Sequence, residues 1–443
     1  MPRSLLTSTV FALYRAAGCL AAPLITRLMK KRRARGKEDT TRFGERFGHA
    51  GAPRPDGNLV WIHGSSVGEA VSALPLIERL LSERPDLWIL VTTGTVTSAG
   101  IMGDRLPKGV IHQFLPIDSL PAVRRFFDHW RPQAGLVIES EFWPNLLLEA
   151  RSRGIPLHLI NGRMSPKSFK NWRRTGPVFR RLLESFSSVQ AQSPEDQAHF
   201  QALGRTDCTS PGNLKFAAPP LDADPAIVRE FRPLLEHRPR WLLYSSHPGE
   251  ERMTAEAHRE IATHHPGLLT MIAPRHPERG PGLAKELRGM GLNVALRSAG
   301  DPITPDTEIY LADTLGELGV WFRLNDVVTI GGTLIPKGGQ NPIEAAKLDC
   351  AILCGPYTGN FLRIVGDMIK AGALRRIEET PPSAHGLASA VSALLNDPAA
   401  RAELSRSAGT YAETQSEVLA RIMALLTPAL NRLGRNESQT HPD

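Results

Sequence analysis

The segment LVWIHGSSVGEAVSALPLIERLL occupies residues 59–81. It opens with a continuous apolar run, which is typical of a strand buried on both faces. Glycine and serine follow, and residues 67–81 then carry apolar side chains at helical spacing. A buried strand, a tight loop and an amphipathic helix in this order predict one unit of a parallel α/β sheet.

The same alternation of apolar runs and amphipathic stretches repeats along the chain. The predicted strands before residue 211 are 59–63, 88–92, 110–115, 134–138, 156–160 and 188–191. The predicted strands after residue 224 are 241–245, 268–273, 294–297, 308–311, 327–330 and 351–353. Between the two series, the proline-rich stretch PGNLKFAAPPLDAD, residues 211–224, indicates a linker. We therefore predict two Rossmann-like α/β domains facing a cleft, because ligands of such sheets bind outside the strand ends.

Length and composition agree with a folded body of more than one domain. The 443 residues are 41% hydrophobic and 22% charged, which excludes disordered, collagen-like and coiled-coil chains. Four scattered cysteines without a CxxC pair exclude a disulfide scaffold and a zinc ribbon. We predict four segments: a basic membrane-anchor helix (1–37), an N-terminal domain (38–217), a C-terminal domain (218–430) with a helical end (384–430), and a polar tail (431–443).

The net positive charge of the chain is confined to its first 37 residues. That segment holds nine of the 53 Lys and Arg residues and no Asp or Glu, so the remainder carries 44 basic and 45 acidic residues. A nucleic-acid-binding protein would spread a basic face over its folded body, and this class of protein is therefore not favoured. The distribution favours contact with anionic lipid.

The first 37 residues combine an apolar stripe with a basic cluster. The stripe recurs at three- and four-residue steps and consists of Leu6, Val10, Leu13, Ala17, Leu20, Leu24 and Leu28. Six Lys or Arg follow within residues 30–37. Two arrangements remain open, a short anchor that spans the bilayer and an amphipathic helix that lies in its interface. A cleaved signal peptide is disfavoured because most of the charge follows the apolar run. We expect attachment to the cytoplasmic face of a membrane.

Glu69 stands in the motif HGSSVGE, between the first predicted strand and its helix. The motif is neither a GxGxxG fingerprint nor a phosphate-binding P-loop. One interpretation is a capping box, in which Glu69 pairs with Ser65 or Ser66 at the helix start. The other interpretation is a general base at the mouth of the cleft.

Two further carboxylates follow the fourth predicted strand, in the motif IESEFWPN. Glu139 and Glu141 are two residues apart, so one can line the cleft while the other points aside. The alternative is that one of them caps a helix and that Trp143 is ordinary core. The next loop, NGRMSPKSFKNW, adds the basic residues Arg163, Lys167 and Lys170. These suit an anionic ligand, or simply form a solvated basic loop.

The second domain has three motifs that follow predicted strands. They are SSHPGEE (245–251), APRHPER (273–279) and GGTLIPKGGQNPIEAAKL (331–348). We expect the four glycines of the last motif, Gly331, Gly332, Gly338 and Gly339, to form tight turns. We expect Asn341 to cap a helix whose start, together with Arg275, binds a phosphate, while Glu344 accepts ribose hydroxyls. The alternative is a plain turn with a capping box.

Searches for a metal site or a nucleophile motif give weak signals. No HExxH, clustered His/Cys set or GxSxG is present. The sequence DAD at 222–224 resembles a DxD metal motif, but it lies in the predicted linker and we assign it to linker solvation.

Taken together, these motifs resemble the 3-deoxy-D-manno-octulosonic acid (Kdo) transferase family of lipopolysaccharide assembly. The matching stretches occur in order along nearly the whole chain. They are HGSSVGE, TTGT (92–95), FLPID (114–118), ESEFWPN, NGRMSPKSF, GNLKF (212–216), PRHPER, DTLGELG (313–319) and GGQNPIEAA. RFGERFG (42–48) also resembles the family's stretch between anchor and first strand, which is associated with the acceptor.

The resemblance implies a fold, a reaction and a set of site residues. It implies an inverting GT-B glycosyltransferase that uses CMP-Kdo as donor and lipid IVA as acceptor at the cytoplasmic face of the inner membrane, without a cofactor or metal. Glu69 matches the general base, and Glu139 or Glu141 matches a second acidic residue, with Glu139 preferred. The matched nucleotide contacts are Pro274, Arg275, Leu315, Gly316, Glu317, Asn341, Pro342, Ile343 and Glu344.

Three alternative functions fit parts of the pattern. One is another GT-B nucleotide-sugar transferase, the second is a nucleotide-sugar epimerase, and the third is a membrane tether that keeps a nucleotide pocket. The basic leader disfavours a soluble epimerase, and the paired glutamates disfavour a tether. The number of Kdo residues transferred stays open.

Overall fold

The computed structural model describes residues 3–434, with side chains from Thr7 onward. These residues form two units, one built from the chain up to Ala218 together with Gln415 onward, and one from Pro219–Thr414. The division between Ala218 and Pro219 falls inside the proline-rich stretch that indicated a linker.

The first unit contains a six-stranded parallel sheet. Its strands are β1 (Asn58–His63), β2 (Leu87–Thr93), β3 (Ile111–Phe114), β4 (Ala134–Ile138), β5 (Leu157–Gly162) and β6 (Phe186–Ala191). They lie in the order β3-β2-β1-β4-β5-β6, the doubly wound order of a Rossmann sheet. Each predicted strand of the first series is confirmed, because continuous apolar runs such as 59–62 are fully buried by helices on both faces.

Helices and 3₁₀ turns connect the strands of the first unit. The helices are α1 (Arg3–Leu20), α2 (Ala22–Ala34), α3 (Val67–Glu83), α4 (Val96–Arg105), α5 (Leu120–Trp130), α6 (Pro144–Ser152), α7 (Pro166–Arg174), α8 (Gly176–Leu183) and α9 (Pro194–Ala202). The 3₁₀ turns are Phe43–Phe47 and Leu214–Ala217. The order of strands and helices turns the loops after β1, β4 and β5 toward one edge of the sheet.

The second unit contains a seven-stranded parallel sheet. Its strands are β7 (Arg240–Ser246), β8 (Leu269–Pro274), β9 (Val294–Leu296), β10 (Ile309–Leu311), β11 (Val327–Ile330), β12 (Ala351–Cys354) and β13 (Arg375–Arg376). Their order is β13-β12-β11-β7-β8-β10-β9. The six strands predicted for this unit are confirmed. The edge strand β13 was missed because its two arginines give no apolar signal.

The helices of the second unit cover both faces of its sheet. These helices are α10 (Pro225–Leu235), α11 (Glu250–Ala262), α12 (Gly280–Gly289), α13 (Leu318–Arg323), α14 (Ile343–Ala346), α15 (Leu362–Lys370), α16 (Ala384–Asn396) and α17 (Pro398–Ser416). The last helix is α18 (Val418–Asn431). The prediction of a helical end for the chain is therefore confirmed up to Asn431.

The last helix corrects the predicted domain boundaries. Residues 218–430 were expected to form one C-terminal domain, but the chain from Gln415 onward belongs to the first unit. The reason is the buried face of α18, formed by Val418, Ile422, Leu426 and Leu430, which packs on α3 and on the 3₁₀ turn Leu214–Ala217. Arg84 fixes the end of α18 by donating a hydrogen bond to the Leu430 carbonyl at 2.8 Å. Of the predicted polar tail, residues 435–443 lie outside the described residues.

The leader forms two helices rather than the single predicted one. A bend of 60° separates α1 and α2 next to Ala21, where Pro23 enters the first turn of α2. Among the described helices, none alone is long and apolar enough to cross a bilayer, although α1 from Thr7 and α2 together meet that test. The inner face of α1 packs on the body of the first unit, because Phe11 is buried in its core and the Tyr14 hydroxyl donates to Asp118 at 2.9 Å.

Candidate active site

The central strands of the first sheet bring the predicted acidic residues to one edge. Strand β1 pairs with both β2 and β4, so the winding direction of the sheet reverses between β1 and β4. Glu69 follows β1, and Glu139 follows β4 directly. Ligands of open α/β sheets bind outside the strand ends at such a reversal. The fold therefore gathers both predicted catalytic carboxylates at the expected place within this unit.

Glu69 closes a capping box at the start of α3. Its backbone N–H donates to the Ser66 hydroxyl at 3.3 Å, and its carboxylate accepts hydrogen bonds from the Ser65 N–H at 2.7 Å and from the Ser66 hydroxyl at 2.9 Å. The capping interpretation of the motif is thus confirmed. The carboxylate remains half-buried rather than enclosed, so its other lone pairs stay open to a ligand.

The pKa of Glu69 lies above its usual value. Burial is the largest cause, and the negative charges of Glu139 and Glu141 add to it. The hydrogen bonds from Ser66 and Ser65 oppose this rise without cancelling it. A carboxylate held among other carboxylates binds a proton more strongly than an isolated one, which is the property that a general base needs.

Glu139 is held in an unusual backbone conformation. Its φ of 64° lies in the left-handed region, which is rare for a residue with a side chain, and its backbone N–H donates to the Ile160 carbonyl at 3.0 Å. The residue is 8% exposed, and its Oε1 lies 3.2 Å from Lys215 Nζ. Lys215 thus partly compensates the charge of Glu139. Such strained positions concentrate at functional sites.

Asn161, at the end of the neighbouring strand β5, is also left-handed, with a φ of 56°. Its Oδ1 accepts a hydrogen bond from the Leu214 N–H at 2.9 Å, which fixes the 3₁₀ turn that carries Lys215. The motif GNLKF contains Lys215, but its pattern predicted no role for this residue. The one sequence feature that indicates a role for Lys215 is its position as the single charged residue in an otherwise apolar turn.

Glu141 occupies a different environment from Glu139. Burial would raise its pKa, but the hydrogen bond from His63, the His63 charge and the hydrogen bond from the Trp143 indole hold that pKa below its usual value. His63 Nε2 lies 3.5 Å from the Glu141 carboxylate, and His63 Nδ1 lies 3.0 Å from the Thr92 carbonyl. Trp143 is 43% exposed, so the alternative interpretation, in which it is ordinary core, is wrong.

The second unit gathers its predicted residues at the strand ends of its own sheet. Pro274 ends β8, and the Arg275 N–H donates to the Ser246 carbonyl at 3.0 Å, next to β7. The side chain of Arg275 is exposed. The glycine-rich loop follows β11, which also pairs with β7. These loops therefore meet at one edge, as the sequence predicted.

The glycine-rich loop makes the tight turns that were expected. Gly332, Gly338 and Gly339 have φ values of 71°, 93° and 78°. Gly331 is required by close approach, because a Cβ there would lie 2.3 Å from the Ser245 carbonyl oxygen. The loop thus places its backbone against the end of β7.

Glu250 anchors this loop, a role that its sequence pattern did not predict. The Glu250 carboxylate is fully buried and accepts hydrogen bonds from the N–H groups of His247 (2.9 Å), Gly332 (2.7 Å) and Leu334 (3.0 Å). Burial raises its pKa to about 7, against the lowering effect of these three donors. The signal for Glu250 was its place in SSHPGEE, directly after a predicted strand.

The helix after the glycine-rich loop is a single turn. It spans only Ile343–Ala346, Pro342 is its N-cap, and Glu344 is its second residue rather than its third. Asn341 still satisfies the helix start, because its Oδ1 accepts from the Ile343 N–H at 3.1 Å, while its Nδ2 donates to Glu344 at 3.2 Å. A single turn lacks the dipole of a longer helix, so the predicted phosphate site at this helix start loses that support.

The remaining predicted nucleotide contacts follow β10. Leu315 is 83% exposed, and Gly316 is left-handed with a φ of 84°. The Glu317 carboxylate receives hydrogen bonds from the Arg297 guanidinium at 2.8 and 3.0 Å. That pairing is the main reason that the pKa of Glu317 lies below its usual value. Glu317 therefore fixes the shape of its loop.

Two other stretches quoted from the sequence have clear structural roles. RFGERFG forms a 3₁₀ turn in which buried Glu45 accepts a hydrogen bond from the Phe114 N–H at 2.8 Å, so it braces the edge strand β3. Lys167 and Lys170 lie on α7, which has no buried residue. Among the described residues, no group of three or more His, Cys, Asp or Glu is arranged to hold a metal ion.

The chain is similar to known proteins in sequence and in fold. A family model described as 3-Deoxy-D-manno-octulosonic-acid transferase (kdotransferase) matches residues 41–218. A probable mitochondrial 3-deoxy-D-manno-octulosonic acid transferase of Arabidopsis thaliana is 38% identical over 374 residues, covering 82% of this chain and 84% of that protein. The chain belongs to the 3-deoxy-D-manno-octulosonic acid transferase family.

One further sequence relative and one solved structure are also similar to this chain. The 3-deoxy-D-manno-octulosonic acid transferase of Bordetella pertussis is 35% identical over 400 residues, covering 88% of this chain and 92% of that protein. A solved structure, a putative UDP-N-acetylglucosamine 2-epimerase from Listeria monocytogenes, covers 86% of this chain and 99% of its own with a TM-score of 0.59. At 14% identity that likeness shows the two-sheet α/β fold alone, and family membership argues against the alternative of an epimerase.

Proposed function

We propose that this Kdo transferase family member moves Kdo from CMP-Kdo to the lipid A precursor lipid IVA. The observation that carries the proposal is the carboxylate cluster at the β1/β4 reversal, where Glu69 has a raised pKa beside Glu139 and Glu141. Family membership supplies the reaction class, and the cluster supplies a base suited to it.

The proposed step is a direct displacement. Glu69 takes the proton of an acceptor hydroxyl, and the freed oxygen forms a bond to the anomeric carbon of Kdo. The bond from that carbon to the CMP phosphate breaks on the opposite face, and its electron pair leaves with the phosphate. The configuration at the anomeric carbon therefore inverts through an oxocarbenium-like transition state. Glu139 and Glu141 stabilise protonated Glu69, since their negative charges favour its neutral form.

The donor nucleotide is assigned to the strand ends of the second unit. Arg275 offers a planar, exposed guanidinium for the CMP phosphate. The backbone of the glycine-rich loop can approach the nucleotide closely because Glu250 holds it in place. Pro274, Leu315–Glu317 and Asn341–Glu344 complete the proposed contacts, and no step is assigned to a cofactor or metal.

Attachment to the cytoplasmic face of the inner membrane is part of the proposal. The predicted leader stripe is exposed in α1 and α2, and Leu13, Leu20, Leu24 and Leu28 have exposures of 64%, 84%, 69% and 56%. An apolar stripe that the body leaves uncovered, next to a basic cluster, suits a helix lying in a bilayer interface. Leu6 lies outside the residues whose side chains are described.

One assay tests the proposed reaction. Purified protein is incubated with CMP-Kdo and lipid IVA, and the lipid products are analysed by mass spectrometry. We expect the acceptor mass to increase by one or more Kdo residues and CMP to be released in the same amount. Release of CMP without a heavier lipid, or no change in either, would contradict the proposed transfer.

A further inference from the structure

A cavity of about 700 Å³ lies in the first unit on the inner side of α1. Its walls come from α1, α7, α8 and the end of α9. Three arginines line it, Arg173, Arg180 and Arg181, together with one acidic residue, Glu184. The lining therefore has an excess of positive charge.

The single glutamate does not neutralise the arginines. Glu184 accepts from Arg181 at 3.1 Å and lies 3.4 Å from Arg151, so it is shared between two cations. Among the described residues, no carboxylate forms an ion pair with Arg173 or Arg180. Two guanidinium groups in the lining are thus left without a protein counter-charge.

Arg173 and Arg180 are exposed, and each lies against one neighbouring residue. The Arg173 guanidinium lies 5.9 Å from the centre of the Phe169 ring. Arg180 lies against Gly204, where an added Cβ would come within 2.5 Å of its Nε, and Gly204 has a φ of 105°. A larger residue at 204 would displace the guanidinium, so this glycine makes room for the cation.

The start of α8 adds to the positive character of the cavity. Gly176 and Pro177, in its first turn, belong to the lining. This helix start has no side-chain cap, because the Thr175 hydroxyl donates to the Trp172 carbonyl at 3.3 Å instead. The positive end of the helix dipole therefore reinforces the arginines, a combination that favours a phosphate group.

The cavity lies on the side of α1 away from its exposed apolar residues. Thr7 and Phe11 contact the cavity, whereas Val10 and Leu13 are exposed. A helix is about 10 Å wide with its side chains. An interfacial helix sits about 5–10 Å into the boundary between headgroups and acyl chains. If the stripe rests on a bilayer, the cavity lies at the level of the lipid headgroups.

A smaller cavity of about 200 Å³ lies beside Glu141 of the carboxylate cluster. It is lined by Glu141, Trp143, Arg163 and Trp172, among others. Trp172 lines the smaller cavity, and the next residue, Arg173, lines the larger one. Helix α7 thus contributes neighbouring residues to both.

We propose that the larger cavity binds a phosphate ester of a membrane lipid, and that this lipid is the phosphorylated acceptor. The identification of the ligand as the acceptor rests on the proposed function. With its phosphate beside Arg173 and Arg180, the acceptor places its sugar toward the smaller cavity and Glu141. A bulk anionic phospholipid carries the same headgroup chemistry and is the other source of a phosphate ester.

The test uses the double variant R173Q/R180Q of the full chain. The matched control is R105Q/K108Q, which removes the same charge at α4 and just after it, near the opposite edge of the sheet. Binding is measured by flotation with three kinds of phosphatidylcholine vesicle: plain, with lipid IVA, and with phosphatidylglycerol at equal phosphate charge. The KM values for lipid IVA and CMP-Kdo are measured in parallel, and thermal unfolding checks that each variant folds.

We expect R173Q/R180Q to bind lipid IVA vesicles about tenfold more weakly, with a matching rise in the lipid IVA KM. Its binding to phosphatidylglycerol vesicles and its CMP-Kdo KM should stay within about twofold of the wild type. Equal losses on both anionic vesicles would establish the phosphate site but assign it to bulk phospholipid. Unchanged binding to both, or an equal loss in R105Q/K108Q, would overturn the proposal. Wild-type binding that depends on Arg173 and Arg180 without any Kdo transfer would leave the site standing and reject the proposed function instead.

Discussion

Glu69 performs two tasks with one side chain. Its carboxylate closes the capping box of α3, and it stands among the other acidic residues at the β1/β4 reversal. The hydrogen bonds from Ser65 and Ser66 fix its orientation. Burial and the neighbouring charges keep its proton affinity above the ordinary value. A fixed carboxylate with a raised pKa is suited to remove a proton from a sugar hydroxyl.

The charge of Glu141 should influence the pH dependence of transfer. Glu141 raises the pKa of Glu69, so the variant E141Q should lower that pKa. The proposed base must be deprotonated, and activity therefore rises with pH through the pKa of Glu69. We expect the acidic limb of the kcat/KM profile to move to lower pH in E141Q. An acidic limb that stays in place or moves to higher pH would show that Glu69 is not the group that titrates.

At the level of single residues, the sequence predicted which residues lie at the candidate site better than it predicted the contacts that they make. Glu69, Glu139 and Arg275 lie at strand ends because their motifs directly follow apolar runs. The left-handed backbone of Glu139, its pairing with Lys215 and the buried anchor Glu250 depend on contacts between distant segments. Local spacing contains no information about such contacts, so they could not be predicted from it.

Helix α1 has an inner face that packs on the first unit and an outer face that is exposed. Phe11 is buried in the core of the first unit, and Tyr14 bonds Asp118. The stripe residues Leu20, at the end of α1, and Leu24, in α2, are exposed. Removal of residues 1–37 would therefore uncover part of the core as well as remove the proposed membrane contact. Point substitutions separate the two effects.

The variant L20E/L24E should release the protein from membranes without unfolding it. These side chains make few contacts with the body, so the free energy of unfolding should change by less than about 0.5 kcal/mol. The variant F11A should do the opposite, losing about 3 kcal/mol of stability while staying membrane-bound. Membrane sedimentation and chemical denaturation measure the two quantities. Retention of L20E/L24E in the membrane fraction would contradict the proposed contact.

The strands were predicted more accurately than the ends and breaks of the helices. Long apolar runs are buried in any packing, so every predicted strand is present. The break beside Ala21, the single turn of α14 and the strand β13 arise from tertiary packing rather than from periodicity. Most differences between the predicted and the observed secondary structure therefore lie at helix boundaries.

In the whole molecule, the chain returns to its first unit at the end. The buried face of α18 packs on α3 in the first unit, whereas α16 packs on α11 in the second. No motif signals this return, because both helices have ordinary amphipathic patterns. The predicted boundary at residue 430 was wrong for that reason.

The variants L426A and L394A test the assignment of α18. Both leucines are fully buried, the first in α18 and the second in α16. Each substitution should cost about 2–5 kcal/mol in its own unit. Hydrogen exchange should increase in β1 and α3 for L426A, and in β7 and α11 for L394A. The reverse pattern would place α18 in the second unit.

Because the donor and the acceptor are assigned to different units, the loss of Arg275 should affect the KM of the donor alone. Its exposed guanidinium is assigned to the donor phosphate, and the carboxylate cluster of the other unit to the acceptor hydroxyl. The variant R275A should raise the KM for CMP-Kdo by about tenfold or more and leave the KM for lipid IVA within about twofold. Steady-state kinetics with each substrate varied in turn measure this. An unchanged KM for CMP-Kdo would contradict the assignment of Arg275 to the donor phosphate.

The rate of Kdo transfer by E69Q, with CMP-Kdo binding measured on the same protein, tests the assigned base most directly. Glutamine can still close the capping box, so fold and donor binding should persist. We expect kcat to fall by about 10²–10⁴-fold, while E83Q, at the other end of α3, transfers Kdo at the wild-type rate. Wild-type transfer by E69Q would contradict the assignment of Glu69 as the general base.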